Sequence, residues 1–188
     1  MRSAFLFSLL FTAGLVVAKP PPGFGTPDTE ITLGTKHGQM RFDQEALAVA
    51  PGAKVKITLK NTCEMLHNWV LVKGGTGERD RVSGKALQLG AQSMVKHFVP
   101  DDPAIVASSQ IAMPGNTVEV YFVAPKEEGD YPYVCTLPGH AFTMVGTLAV
   151  SKDSKGALNR LNKARPQVRA QWPLLVTNKP LLQRAFVQ

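Results

Sequence analysis

Histidine and cysteine are scarce in this chain, with four His and two Cys among 188 residues. Two cysteines allow at most one disulfide, and four imidazoles leave few donors for more than one metal centre. Beyond the first eighteen residues no apolar run is long enough to cross a membrane as a helix. Acidic residues are nearly missing from the end of the chain. Residues 151–188 hold eight Lys/Arg against Asp153 alone, whereas residues 19–150 hold twelve Lys/Arg against thirteen Asp/Glu. The net charge of +7 and the pI near 9.6 therefore describe a basic tail on a near-neutral body, and they do not mark a nucleic-acid binder. What is left is a soluble globular composition, 44 % hydrophobic and 19 % charged, long enough for one domain with appendages.

The opening residues read as a secretory signal peptide: Met1-Arg2 is a positive start, Ala4 to Val17 an apolar run, and Val16-Val17-Ala18 a small-residue cleavage site. The expected organisation is a signal peptide over 1–18, a Pro/Gly linker over 19–27, one domain over 28–151 and a basic extension over 152–188, in a periplasmic or secreted protein. Strand signals fall at Thr29–Leu33, Gln39–Phe42, Ala46–Ala50, Lys54–Leu59, Asn68–Val72, Thr117–Val123, Tyr131–Cys135 and Val145–Val150. Lys54–Leu59 alternates charged and apolar residues, as a strand with one wet face does, while Asn68–Val72 is more continuously apolar and expected to be buried. Gly74–Gly77 reads as a loop, and Arg79 to Phe98 as an insertion with one or two short helices. Short strands with turns between them, one helical excursion and no βαβ alternation predict an all-β sandwich. In the extension a helix is predicted from Asp153 to Ala164, capped by Asp153 or Ser154, with Pro166, Pro173 and Pro180 interrupting the rest; the extension is expected to be partly helical or disordered.

The most informative stretch is Tyr133-Val-Cys135-Thr-Leu-Pro-Gly-His140-Ala-Phe-Thr-Met144, a loop leaving one strand and entering the next. A second piece, His67-Asn68-Trp69, heads the strand expected to be buried. Taken singly, a strand His or a lone Met is more often packing than ligand; together the four point to one metal. A thiolate and two imidazoles bind both Cu(I) and Cu(II), and a weak thioether adds little preference for the flattened Cu(II) geometry, so the site changes shape little on reduction. Zinc accepts Cys/His₂, but structural zinc takes four strong ligands and catalytic zinc has no use for Met. The set favours copper.

These motifs resemble those of the cupredoxins, and most closely the azurins, whose signature is Gly-His-Asn-Trp followed by Cys-Thr-Phe-Pro-Gly-His-x-x-x-Met. The resemblance runs from about Ile31 to Val150 and includes the long region before Val99-Pro100-Asp101-Asp102, where azurins carry a helical flap. It implies a cupredoxin-like Greek-key β-sandwich with a helical insertion, and one type 1 (blue) copper per chain that carries single electrons. It implies that His67, Cys135 and His140 form the copper plane and that Met144 is axial. It implies too that Asn68 ties the ligand loops together, that the amides of Asn68 and Leu137 donate to the Cys135 sulfur, and that the His140 edge lies in an apolar patch formed by Met65, Leu66, Leu137, Pro138 and Phe142. Redox proteins such as cytochromes or oxidoreductases would dock there. Leu66 stands where azurins have the Gly whose carbonyl is a weak axial contact, Leu137 replaces Phe, Phe142 replaces a small residue, and the azurin disulfide is missing.

Other functions fare less well. A copper oxidase or nitrite reductase needs a second centre, but only His37 and His97 remain, both read as surface or packing residues; the chain is not expected to be an enzyme. A binuclear copper site would need a second Cys between Thr136 and Gly139. A copper-delivery module or an electron-donor subunit of a larger enzyme is the alternative. Cys63 is left over, as a buried free thiol, an intermolecular disulfide or a redox-sensitive thiol. The basic extension could meet an acidic partner or an anionic surface.

Overall fold

The computed structural model describes residues 20–164; the signal-peptide reading of 1–18 and the end of the extension, 165–188, lie outside the described residues. Eight strands form two sheets. One holds β1 (Thr29–Gly34), β3 (Lys54–Lys60) and β6 (Thr117–Val123) in the order β1-β3-β6. The other holds β2 (Ala46–Val49), β4 (Val70–Val72), β5 (Ile105–Ser108), β7 (Gly129–Val134) and β8 (Val145–Val150) in the order β2-β8-β7-β4-β5. The alternation in β3 does what it announces: Val55, Ile57 and Leu59 are buried, and so are Val118, Val120 and Phe122 of its antiparallel neighbour β6. These side chains meet Trp69, Leu71, Tyr133, Leu148 and Val150 from the second sheet in one core.

The helical insertion is α1 (Gly75–Leu87), followed by a single 3₁₀ turn at Gly90–Gln92. Val82 of α1 packs with Val70, Val72 and Val134 on the outer face of β4 and β7. Both strands are thereby covered on two sides, which is why Trp69–Val72 reads as an unbroken apolar run rather than an alternating one, although the strand itself begins only at Val70. Asp102, its side chain fully buried, accepts from Arg81 at 2.6 and 2.8 Å and from Lys85 at 2.6 Å, and so fastens α1 to the turn that leads into β5. These cations hold the Asp102 carboxyl far below the ordinary carboxylate range.

Three expectations are corrected. Gly74–Gly77 is not a free loop: Gly74 takes a left-handed conformation (φ 94°) and α1 begins at Gly75. Two glycines make a poor first turn, and the contacts of Val82 and Ala86 outweigh their weak propensity. Gln39–Phe42 is a turn rather than a strand, joined only through the isolated bridge of Thr35 to Phe42. β5 is a strand where the sequence carries no strand signal. The extension is helical over residues 154–164, called α2, and Asp153 is its cap, accepting from Gly156 N at 2.9 Å. Arg160 grips Asp130 at the start of β7 with two hydrogen bonds, so α2 is seated on the domain.

Candidate metal centre

The register of the second sheet gathers the predicted ligands at one end. His67 lies just before β4 and is held by a pair of backbone bonds with Ala112 (3.2 and 2.7 Å). Cys135 follows β7 directly, and Met144 directly precedes its antiparallel neighbour β8. The loop between them is closed by its own backbone: Cys135 N donates to Met144 O (3.0 Å), His140 N to Leu137 O (3.0 Å) and Met144 N to His140 O (2.8 Å). The turn at Gly139 needs φ 81°, which Gly supplies without steric cost and which aims His140 back toward Cys135.

Cys135 Sγ lies 3.4 Å from His140 Nδ1 and 3.9 Å from His67 Nδ1, and the two imidazole centroids are 5.0 Å apart. All three ligand atoms fall within 4.8 Å of one another and all three residues are buried. Sulfur and nitrogen bound to one ion at about 2.3 and 2.0 Å stand about 3.5–3.7 Å apart for near-tetrahedral to trigonal angles. The spacing fits a single metal. The Met144 side chain is fully buried in the same core cluster as Cys135, and its backbone is bonded to both Cys135 and His140.

The two imidazoles are in the form that binds a cation, whereas the thiol must first lose its proton. Burial pushes the His67 imidazole down to about 4, with a smaller contribution from His140, and burial lowers His140 too. Both rings are neutral at pH 7, each with a lone pair to give. Burial pushes the Cys135 thiol up to about 11, opposed by hydrogen bonds from the amides of Asn68 and Leu137. Those are the two amides expected to face the sulfur. They favour its anionic form, and that form is the ligand.

Asn68 joins the ligand loops as expected. Its Oδ1 accepts from Thr136 N at 2.9 Å, and its Nδ2 donates to Thr136 Oγ1 at 2.8 Å and to His97 O at 2.8 Å. Sequence reasoning missed Thr136, whose hydroxyl also donates to Phe98 O at 2.7 Å, and Asn61, whose Nδ2 binds Met65 O and Ala112 O. A Thr beside a ligand and an Asn at a strand end carry no distinctive signal. Around the ligand end, Met65, Pro138 and Phe142 are exposed, Phe142 to 77 %, and Leu66 is half-buried. Leu137 is a correction to the patch: its side chain is buried in the core and offers its amide instead. Met40 and Met113, which were not anticipated, add exposed thioethers on neighbouring loops. His140, 7 % exposed, lies just beneath. Cys63 is a buried free thiol donating to Lys36 O at 3.1 Å. His37 lies 3.5 Å from Thr62 O and His97 is half-buried, and among the described residues neither belongs to the cluster of His67, Cys135 and His140.

The family model for copper binding proteins of the plastocyanin/azurin family matches residues 29–151. Auracyanin-A of Chloroflexus aurantiacus is 38 % identical over 129 residues, covering 68 % of this chain and 77 % of its own length. Auracyanin-B of the same organism is 32 % identical over 131 residues, but the match spans 54 % of its length and 67 % of this chain. Azurin of Bordetella pertussis is 32 % identical over 118 residues, covering 58 % of this chain and 76 % of the azurin. The solved structure of auracyanin A, described as a "blue" copper protein, superposes with a TM-score of 0.61 at 38 % identity, over 65 % of this chain and 98 % of that one.

Proposed function

We propose that this chain, which belongs to the plastocyanin/azurin family of copper-binding proteins, is an exported carrier of single electrons whose one type 1 copper is held by His67, Cys135, His140 and Met144. The observation that carries this reading is the convergence of Cys135 Sγ with two imidazole Nδ1 atoms at 3.4 and 3.9 Å in a buried pocket. Bound copper supplies a Cu(I)/Cu(II) couple. The chain's own residues do the rest. Cys135 gives up its thiol proton to become a ligand, and the Asn68 and Leu137 amides stabilise the resulting sulfur charge. Backbone bonds across the Cys135–Met144 loop and the Asn68–Thr136 pair keep the donors in place when charge arrives or leaves. The Leu66 carbonyl is the candidate for a further, weak contact to the metal.

Electrons enter and leave through the His140 edge, beneath the patch of Met65, Pro138 and Phe142, where a redox protein docks transiently. Such a carrier is no enzyme. The described start of the basic extension leaves from the far end of β8, whose near end adjoins Met144, and an acidic partner or anionic surface is the candidate ligand of its positive charge. Reversible one-electron cycling of the copper-loaded protein tests the function. The metal should stay bound through many cycles, whereas its release on each reduction would make this a delivery module.

A further inference from the structure

The segment that ends the helical insertion does more than the ligand set requires. Lys96 N donates to Gln92 O at 2.9 Å, completing a last helical turn, and that turn closes in a Schellman pattern. Phe98 N reaches Ser93 O at 2.7 Å and His97 N reaches Met94 O at 3.1 Å. The left-handed residue of such a cap is usually Gly. Here it is His97, at φ 53°, and Phe98 follows it at φ 57°; no other non-glycine among the described residues has positive φ. Left-handed backbone is costly for a residue with a Cβ, and two in succession persist only when the surroundings fix them.

What fixes them is the metal end of the molecule. His97 O accepts Asn68 Nδ2 at 2.8 Å, and Phe98 O accepts Thr136 Oγ1 at 2.7 Å. Asn68 directly follows ligand His67, Thr136 directly follows ligand Cys135, and both are buried. One left-handed residue would be enough to stop the helix. The second turns a second carbonyl onto the other ligand loop. The His97 Nδ1 takes no part in this, since it has no hydrogen-bond partner among the described residues.

We propose that His97-Phe98 is a positioning strap: its two carbonyls clamp Asn68 and Thr136 and thereby fix the separation of the His67 and Cys135 loops. This rests on the ligand assignment above. The strap itself touches no metal. It acts through Asn68 and Thr136, as outer groups around metal ligands commonly do.

The test is a series at position 97 in the full chain loaded with copper. Gly and Asn adopt left-handed backbone readily, whereas β-branched Val resists it. His97→Gly and His97→Asn should keep the wild-type visible bands and copper hyperfine splitting. His97→Val should alter the ratio of the visible bands and weaken copper binding about tenfold, with far-ultraviolet circular dichroism unchanged. A His97→Val protein that melts earlier but keeps wild-type spectra and affinity would reduce the strap to a purely structural cap and overturn the proposal. Should His97→Val fail to fold, Thr136→Val decides, because it releases Phe98 O directly. It should shift the spectrum while Thr136→Ser restores it, and an unshifted Thr136→Val overturns the strap. A wild-type protein that binds copper without intense colour would refute the ligand assignment itself, a result separate from any ranking of the variants.

Discussion

Tyr133 on β7 and Gly146 on β8 are directly paired, and the tyrosine ring occupies the space where a side chain at Gly146 would stand: a Cβ built there would overlap Cζ and Oη of Tyr133. The phenol oxygen goes on to donate to Gln44 O at 2.7 Å, and the ring meets Phe42 and Trp69, so it has nowhere to move. Gly146→Ala should therefore cost about 1–3 kcal/mol, as overpacking of a filled core does. Urea titration of the apo-protein measures it, and an unchanged midpoint would mean that the β7–β8 face is loosely packed.

Asn68→Leu keeps the approximate volume and removes both hydrogen bonds that the Asn68 side chain makes to Thr136 on the other ligand loop. The buried Thr136 amide and the His97 carbonyl lose their partners, each a loss of about 1–3 kcal/mol. The apo-protein should be destabilised accordingly, and copper affinity should fall roughly 10–100-fold. Competition with a calibrated chelator reads the second effect.

Copper uptake at pH 7 should release about one proton per chain. Cys135, pushed up to about 11 by burial, is a thiol before the metal arrives, while His67 and His140, both lowered, have no proton to give. An indicator dye in weak buffer counts the protons. Cys135→Ser should show little release, and a value near three for the wild type would contradict the neutral-imidazole assignment.

The apo-protein should lose stability as pH falls. His67 titrates near 4 in the folded chain against about 6.5 when unfolded. Between those values the unfolded state binds more protons, so this contribution is fully present above pH 6.5, fades through the interval and is gone below about 4. The lowered His140 acts in the same direction. Melting temperature against pH shows the effect in the apo-protein. Bound copper should flatten the curve over the upper part of that range.

Where alternation was clean, the sequence could be read closely: β6 has the expected limits, and β3 extends one residue beyond them. The metal end was legible because Cys, His and Met rarely share one short loop unless a metal draws them together. Ile105–Ser108 was not legible as a strand, because all four of its residues are half-buried at a sheet edge and show no alternation. The start of α1 hid behind glycines that suit a loop, since its helical state depends on packing against β4 and β7. The left-handed pair His97-Phe98 left no trace, because a sequence shows an unusual backbone only when Gly or Asn marks it.

Visible absorption and electron spin resonance of the Cu(II)-loaded chain, wild type beside Cys135→Ser, bear most directly on the ligand set. An intense band near the red end of the visible spectrum and a narrow copper hyperfine splitting, both abolished in Cys135→Ser, are expected of a thiolate joined to two imidazoles. A pale wild-type protein with wide splitting, indistinguishable from the Ser variant, would show that Cys135 does not bind the metal and that the four residues do not form one centre.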